Sequence, residues 1–436
     1  MSPVSLSRCA IAATVATGYM TTVGASFDVI AGYEPVSDVV PHSLLDLDME
    51  EMDAGADLKT DAGFTAAFTA YSEGGNSQKT TGARTIRGFS IDAQEKLSGE
   101  KWFNIYSAYW GAPDYADQFT SDACNGTGDF EDAPAELRAE GCIKGAQYQN
   151  VWMYVIHELE DAIGDCEIED LNANDGGPHA WDEGWAFYAG SLEGTDGSGS
   201  GFMLHELATK RCSNFATCTA DDDGSAISGT AQINADILEL FKEGQVKIIG
   251  GDCKGAEAIK DKIVDLMTVP LLQGLLRYFY LTDPEGGNAG DKEFGELWSF
   301  AASVLPRIHE CDPDVAVTIR ANTEITSPDA PVSEGYRLLK EKLESVYSCM
   351  GVSCGQVGGL VIGESTTYFD GFEPCSDSDD GLSSTVIGIL VGVGVATLAI
   401  CLGFFLRKRS KNRKSLEAMD ADLNGFGAAK TNSSTL

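Results

Sequence analysis

Apolar residues recur every three or four positions through most of this chain, from about Asp61 to Ser348. The stretches "KWFNIYSAYW" (101–110), "AQYQNVWMYVIHELEDAI" (146–163) and "AQINADILELFKEGQVKII" (231–249) each place them on one helical face. "GAEAIKDKIVDLMTVPLLQGLLRYFYLTD" (255–283) does the same, with Pro270 expected to kink or break it. In "EGYRLLKEKLESVYSCM" (334–350), Leu338, Leu339, Leu343 and Val346 share a face. Gly- and Asp-rich runs such as "EGTDGSGSG" separate these segments, and alternating strand patterns are scarce. The prediction is a mainly α fold: a helical ectodomain over 61–348. "DEGWAFYAGS" (182–191) and "GELWSFAAS" (295–303) echo each other, each preceded by a Tyr-bearing apolar helix. Two related helical lobes would explain the echo, and chance similarity of helical stripes would do so equally well.

The ends follow a different pattern. Residues 1–25 combine Arg8, an apolar stretch and small residues at Val23 and Ala25, the pattern of a secretory signal peptide. Residues 26–60 are acidic and weakly periodic, which predicts a poorly ordered lead-in. Thr385–Leu406 is 22 residues without a charge. As a helix it would extend about 33 Å, enough for a hydrocarbon core of roughly 30 Å. "RKRSKNRK" follows immediately and places the 407–436 tail in the cytosol. The expected topology is therefore type I at the plasma membrane, with a Cys-bearing juxtamembrane stalk over 349–384 and one C-terminal transmembrane helix. Gly388 and Gly392 form a GxxxG on that helix, a route to a homodimer.

The formal net charge is −37, and the tail is basic, so the acidic excess lies before the span. Such a surface repels nucleic acid and anionic membranes and attracts cations. Setting aside Cys9 and Cys401, ten of the twelve cysteines remain for up to five disulfides, with Cys124/Cys142, Cys212/Cys218 and Cys349/Cys354 suggested by spacing. "NGT" at Asn125 is the glycosylation sequon on the outer side.

Only five histidines are present, and two stand in the same pattern, His-x-x-acid-acid. "HELED" supplies His157, Glu160 and Asp161; "HAWDE" supplies His179, Asp182 and Glu183. At these spacings imidazole and carboxylates share a helical face. With the nearby phenols Tyr154 and Tyr188, the donors suit a hard ion such as Fe(III). Core histidines satisfied by carboxylates would look the same. "HEL" recurs at His205, and "HECDPD" supplies His309 and Glu310. "HELED" and "HELAT" both lack the second histidine of HExxH, and the sequence contains no P-loop or dinucleotide fingerprint, so several enzyme classes are unsupported. Before His179, Gly177 and Pro178 read as a helix start whose free amides could take a carbonate.

"HAWDEGWAFYAGSLEG", with "HELEDAIGDC" upstream and "KRCSNFATC" downstream, resembles the algal iron-assimilation proteins, in particular the phytotransferrins, over roughly residues 60–350. The resemblance implies a cell-surface, non-enzymatic binder of ferric iron with carbonate as synergistic anion, followed by endocytosis. Two other classes fit the residues: a surface ferroxidase or reductase, and an acidic adhesion glycoprotein.

Overall fold

In the computed structural model, the described residues are 27–219, 226–287, 289–363 and 365–376. The chain is mainly helical, with one short hairpin pairing Gln78–Lys79 against Gly82–Ala83. The periodic stretches fold as the spacing predicts. Helices run over Lys101–Trp110, Trp152–Glu167, Gln232–Ile249 and Tyr336–Glu344. A π-helical turn, Ala146–Val151, leads into the second of these. Pro270 does not break its helix. Cys253–Thr282 is one element of 30 residues, packed on the Gln232–Ile249 and Asp291–Cys311 helices, and that burial compensates for the missing donor. Leu338 turns outward, while Leu339 and Leu343 are buried.

One continuous core reaches from Ile30 to Phe372, so the echo does not divide the described residues into two lobes with a cleft between them. Both echoed tryptophans, Trp185 and Trp298, are core residues, as are Trp181 and Phe187.

Residues 26–60 depart from the expected disordered lead-in. Val40–Ser43 and Leu45–Ala56 are helical, and Leu45, Met49 and Met52 are fully buried. The acidic composition misleads because Asp46 and Asp48 face inward. Asp46 accepts hydrogen bonds from Ser191 Oγ and the Leu192 amide, and Asp48 from the Asn76 side chain and amide.

The expected stalk is also largely part of the domain. Five disulfides form: Cys124–Cys142, Cys166–Cys253, Cys212–Cys218, Cys311–Cys349 and Cys354–Cys375. Cys349 and Cys354 are therefore not partners. Cys349 ties the 349–375 segment to Cys311, Cys354 closes a loop within it, and Phe372 stacks on Tyr336 at 5.2 Å between ring centroids. Asn125 of the sequon is exposed at the end of the Tyr115–Asn125 helix. The signal peptide, the span with Gly388 and Gly392, and the cytosolic tail lie outside the described residues. Among the described residues, no helix is long and apolar enough to cross a membrane.

The Gly177–Ala189 helix that carries "HAWDEGWAFYA" is held from two sides. It packs on Trp152–Glu167 and on Gln232–Ile249. Trp181 donates its indole N–H to the Phe241 carbonyl at 2.9 Å and packs against Gly244. A Cβ at Gly244 would fall 1.9 Å from the Trp181 ring. Gly244→Ala is therefore expected to destabilise the fold by about 3 kcal/mol, the upper end for overpacking, because the anchored ring has nowhere to move. Chemical denaturation of the variant measures this; a loss below about 0.5 kcal/mol would mean the contact is soft.

Candidate metal centre

Three side chains from two distant parts of the chain converge on one point. His179 and Glu183 are one helical turn apart, so Glu183 Oε1 meets His179 Nε2 at 2.9 Å. The same oxygen meets His42 Nε2 at 3.0 Å, from the Val40–Ser43 helix. The two imidazoles cross edge to face, centroids 5.5 Å apart. One donor atom from each of the three lies within 4.8 Å of the others. Their side chains are 10%, 20% and 15% exposed for His42, His179 and Glu183, so an ion can reach them.

Two further groups border this cluster from the Trp152–Glu167 helix. Glu158 is buried, and both burial and the Glu183 charge push its carboxyl pKa far above the usual range. Tyr154, one turn earlier, has its phenol pKa raised by burial and by Glu158. Its ring stacks on Phe89 at 3.5 Å and meets Phe187 edge-on at 5.5 Å. Arg84, following the short hairpin, supplies the positive charge felt by His42, His179, Tyr154 and Glu158. It donates to Ser77 Oγ at 2.8 Å and lies over Phe187.

Burial and the charges of the neighbours set the protonation of the three groups. Burial opposes ionisation of Glu183, but hydrogen bonds from His179 and His42 outweigh it and hold its pKa below normal. Burial also opposes protonation of His179, and Glu183 reverses that, raising its pKa. For His42 burial wins and the pKa falls, favouring neutral imidazole. Nδ1 of each histidine is buried with no hydrogen-bond partner.

The other sequence candidates are placed elsewhere. His157 pairs with Glu100 at 2.6 Å, and Glu160 with Lys260 at 2.7 Å. Asp161 is exposed one turn away. Tyr188 donates to Asn234 Oδ1 at 2.6 Å, deep in the core. His205 pairs with Glu193 at 3.2 Å, and His309 lies beside Tyr109, ring centroids 5.3 Å apart. The helix start at Gly177 and Pro178 is no anion site. The Gly177 amide donates to Asp170 O, that of His179 to Gly176 O, Pro178 has none, and Gly177 is packed against Ala162. His42, Glu158 and Arg84 are absent from the sequence-derived set. The Tyr154–Glu158 spacing of four is the one signal that pointed to Glu158.

Asp182 has a structural task beside the cluster. Its buried carboxylate accepts from Tyr33 Oη (2.6 Å), the Val36 and Ser37 amides (2.8 and 2.9 Å), Ser37 Oγ (2.7 Å) and Gln245 Nε2 (3.0 Å). It fastens the strap that delivers His42. Asp182→Ala would leave the two amides unpaired, at about 1–3 kcal/mol each for those that stay buried. The expected result is a melting point lowered by several degrees and faster proteolytic cleavage near residues 33–43. Wild-type protease resistance would show that the strap is held without Asp182.

Two imidazoles and a carboxylate on a helical scaffold are a donor set that could hold a hard or borderline transition-metal ion. The chain belongs to the low iron-inducible periplasmic protein family, whose model matches residues 4–279. This is the iron-starvation-induced family that includes the phytotransferrins. No curated protein and no solved structure matches the chain.

Proposed function

We propose that this protein captures ferric iron at the cell surface and delivers it for uptake, as a binder and not as an enzyme. The observation that carries the reading is the convergence of His42, His179 and Glu183, bordered by Glu158 and Tyr154, in a family induced by low iron. Iron is the cargo. Glu183 and Glu158 supply charged oxygen donors, Tyr154 a phenolate, and the histidines neutral nitrogen. Carbonate is the proposed synergistic anion, set beside the metal by Arg84, whose guanidinium matches a planar oxyanion. Anchoring by the Thr385–Leu406 span, pairing through Gly388 and Gly392, glycosylation at Asn125 and endocytic return of the loaded receptor complete the proposal.

The test is ferric titration of the purified protein with and without bicarbonate, followed by visible absorption. A tyrosinate-to-iron band that requires bicarbonate and disappears in Tyr154→Phe is the expected result. Binding that ignores both bicarbonate and Tyr154 would reduce the centre to histidine and carboxylate.

A further inference from the structure

The echo of the "DEGWAFYAGS" segment leads to a second charged centre that shares no residue with the first. Glu296, the counterpart of Glu183, is buried on the Asp291–Cys311 helix. A pocket of about 200 Å³ opens beside it, lined by Lys144, Gln147, Tyr148, Lys210, Arg211 and Glu296 among others. Phe300, the counterpart of Phe187, stacks between Tyr148 at 4.7 Å and Tyr278 at 5.6 Å, forming an aromatic backing.

The charges there can be matched one by one. Lys144 lies 2.6 Å from Glu140 and 3.4 Å from Glu296, and Lys292 reaches Glu140 at 3.8 Å. Lys210 pairs with Glu206 at 3.3 Å. Arg211 forms no close ion pair, although its charge helps to hold the Glu296 carboxyl below its usual range. Its Nε and Nη1 are buried without a hydrogen bond, and its guanidinium lies 6.0 Å from the centre of the Phe300 ring. Arg277, close enough to feel the charge of Arg211, also has an unpaired buried Nε. Of the lining carboxyls, only Asp53 remains unpaired, and burial biases it toward its neutral form. The charges of both arginines are felt at or from Glu296, which Lys144 already holds, so their buried, unpaired guanidinium nitrogens leave hydrogen-bonding capacity for an anion from outside.

We propose that this pocket binds a small oxyanion, a carboxylate or phosphate group, with the Arg211 fork as its principal donor. Planar guanidinium N–H pairs suit two-oxygen recognition, and the low exposure of the pocket strengthens each such bond. The volume admits an anion the size of phosphate or a short carboxylic acid and excludes nucleotides.

Calorimetric titration of the iron-free, full-length protein tests this, with inorganic phosphate and acetate as probes at constant ionic strength. The expected result is saturable 1:1 binding of at least one probe with Kd near or below about 1 mM. Arg211→Gln should weaken it at least about tenfold, the loss of one charge-assisted bond. Arg211→Lys, which keeps the charge but not the fork, should fall between the two. Preference for phosphate over acetate, or the reverse, then identifies the ligand class. Thermal melting verifies that each variant is folded. The proposal is overturned if no probe binds below about 10 mM. Unchanged affinity in folded Arg211→Gln would overturn it equally.

Discussion

Glu183→Gln is expected to lower ferric affinity by at least about 100-fold, on the order of 3 kcal/mol. One oxygen of this carboxylate faces both imidazoles, so it is the anionic hub of the cluster. Glutamine keeps the shape and removes the charge that an ion would compensate. The same change relieves Glu158, whose raised pKa owes part of its shift to Glu183. Glu158 then ionises more readily and can still offer one charged oxygen, so residual weak binding is expected rather than none. Iron titration against a competing chelator gives the number, and thermal melting separates lost binding from lost folding. A folded Glu183→Gln protein with wild-type affinity would place the iron somewhere else.

Acidification should release the metal. Before iron arrives, the raised pKa values of His179, Glu158 and Tyr154 keep these donors protonated further up the pH scale than usual. Iron must displace those protons, so affinity falls as pH falls. The decline begins above the ordinary histidine value of 6.5, because Glu183 holds the proton on His179. Each displaced proton lowers affinity about tenfold per pH unit, equal to about 1.36 kcal/mol. Between pH 8 and pH 5 the loss should exceed about a hundredfold. Competition titrations across that range measure it, and iron retained undiminished at pH 5 would rule the mechanism out.

Folding stability of the iron-free protein responds differently. The raised pKa of His179 contributes stability that is fully present below 6.5 and is lost as pH rises through its folded value. The depressed pKa of Glu183 contributes stability present above 4.5 and lost as pH falls through its folded value. The two overlap in mildly acidic solution, between those limits. Iron-free protein should therefore be well folded under the conditions that empty it, as a reusable carrier requires.

The "HAWDEGWAFYAG" tract carries the resemblance to the family, and it holds two of the three cluster residues. His179 and Glu183 are legible because a spacing of four on a helix is a local property. The decoys were equally local. His157 and Glu158 are adjacent, about 100° apart around their helix, and only the packing of that helix turns Glu158 toward Glu183 and His157 toward Glu100. Asp182 and Glu183 differ in the same way: one faces the strap, the other the metal centre.

By itself the sequence determined what depends on neighbours along the chain. That includes the helices, set by apolar periodicity, and the two short-range disulfides, Cys124–Cys142 and Cys212–Cys218. It includes the His179–Glu183 pair. The tertiary structure alone decided which distant groups meet. His42 reaches Glu183 because Asp182 fastens the strap, and the acidic 26–60 segment is ordered because its aspartates accept bonds from residues far downstream. Arg84 lies near Tyr154 while Arg211 is left with two buried nitrogens unpaired. Periodicity reports which side of a helix is apolar; what that side meets is set by long-range packing, which leaves no periodic trace.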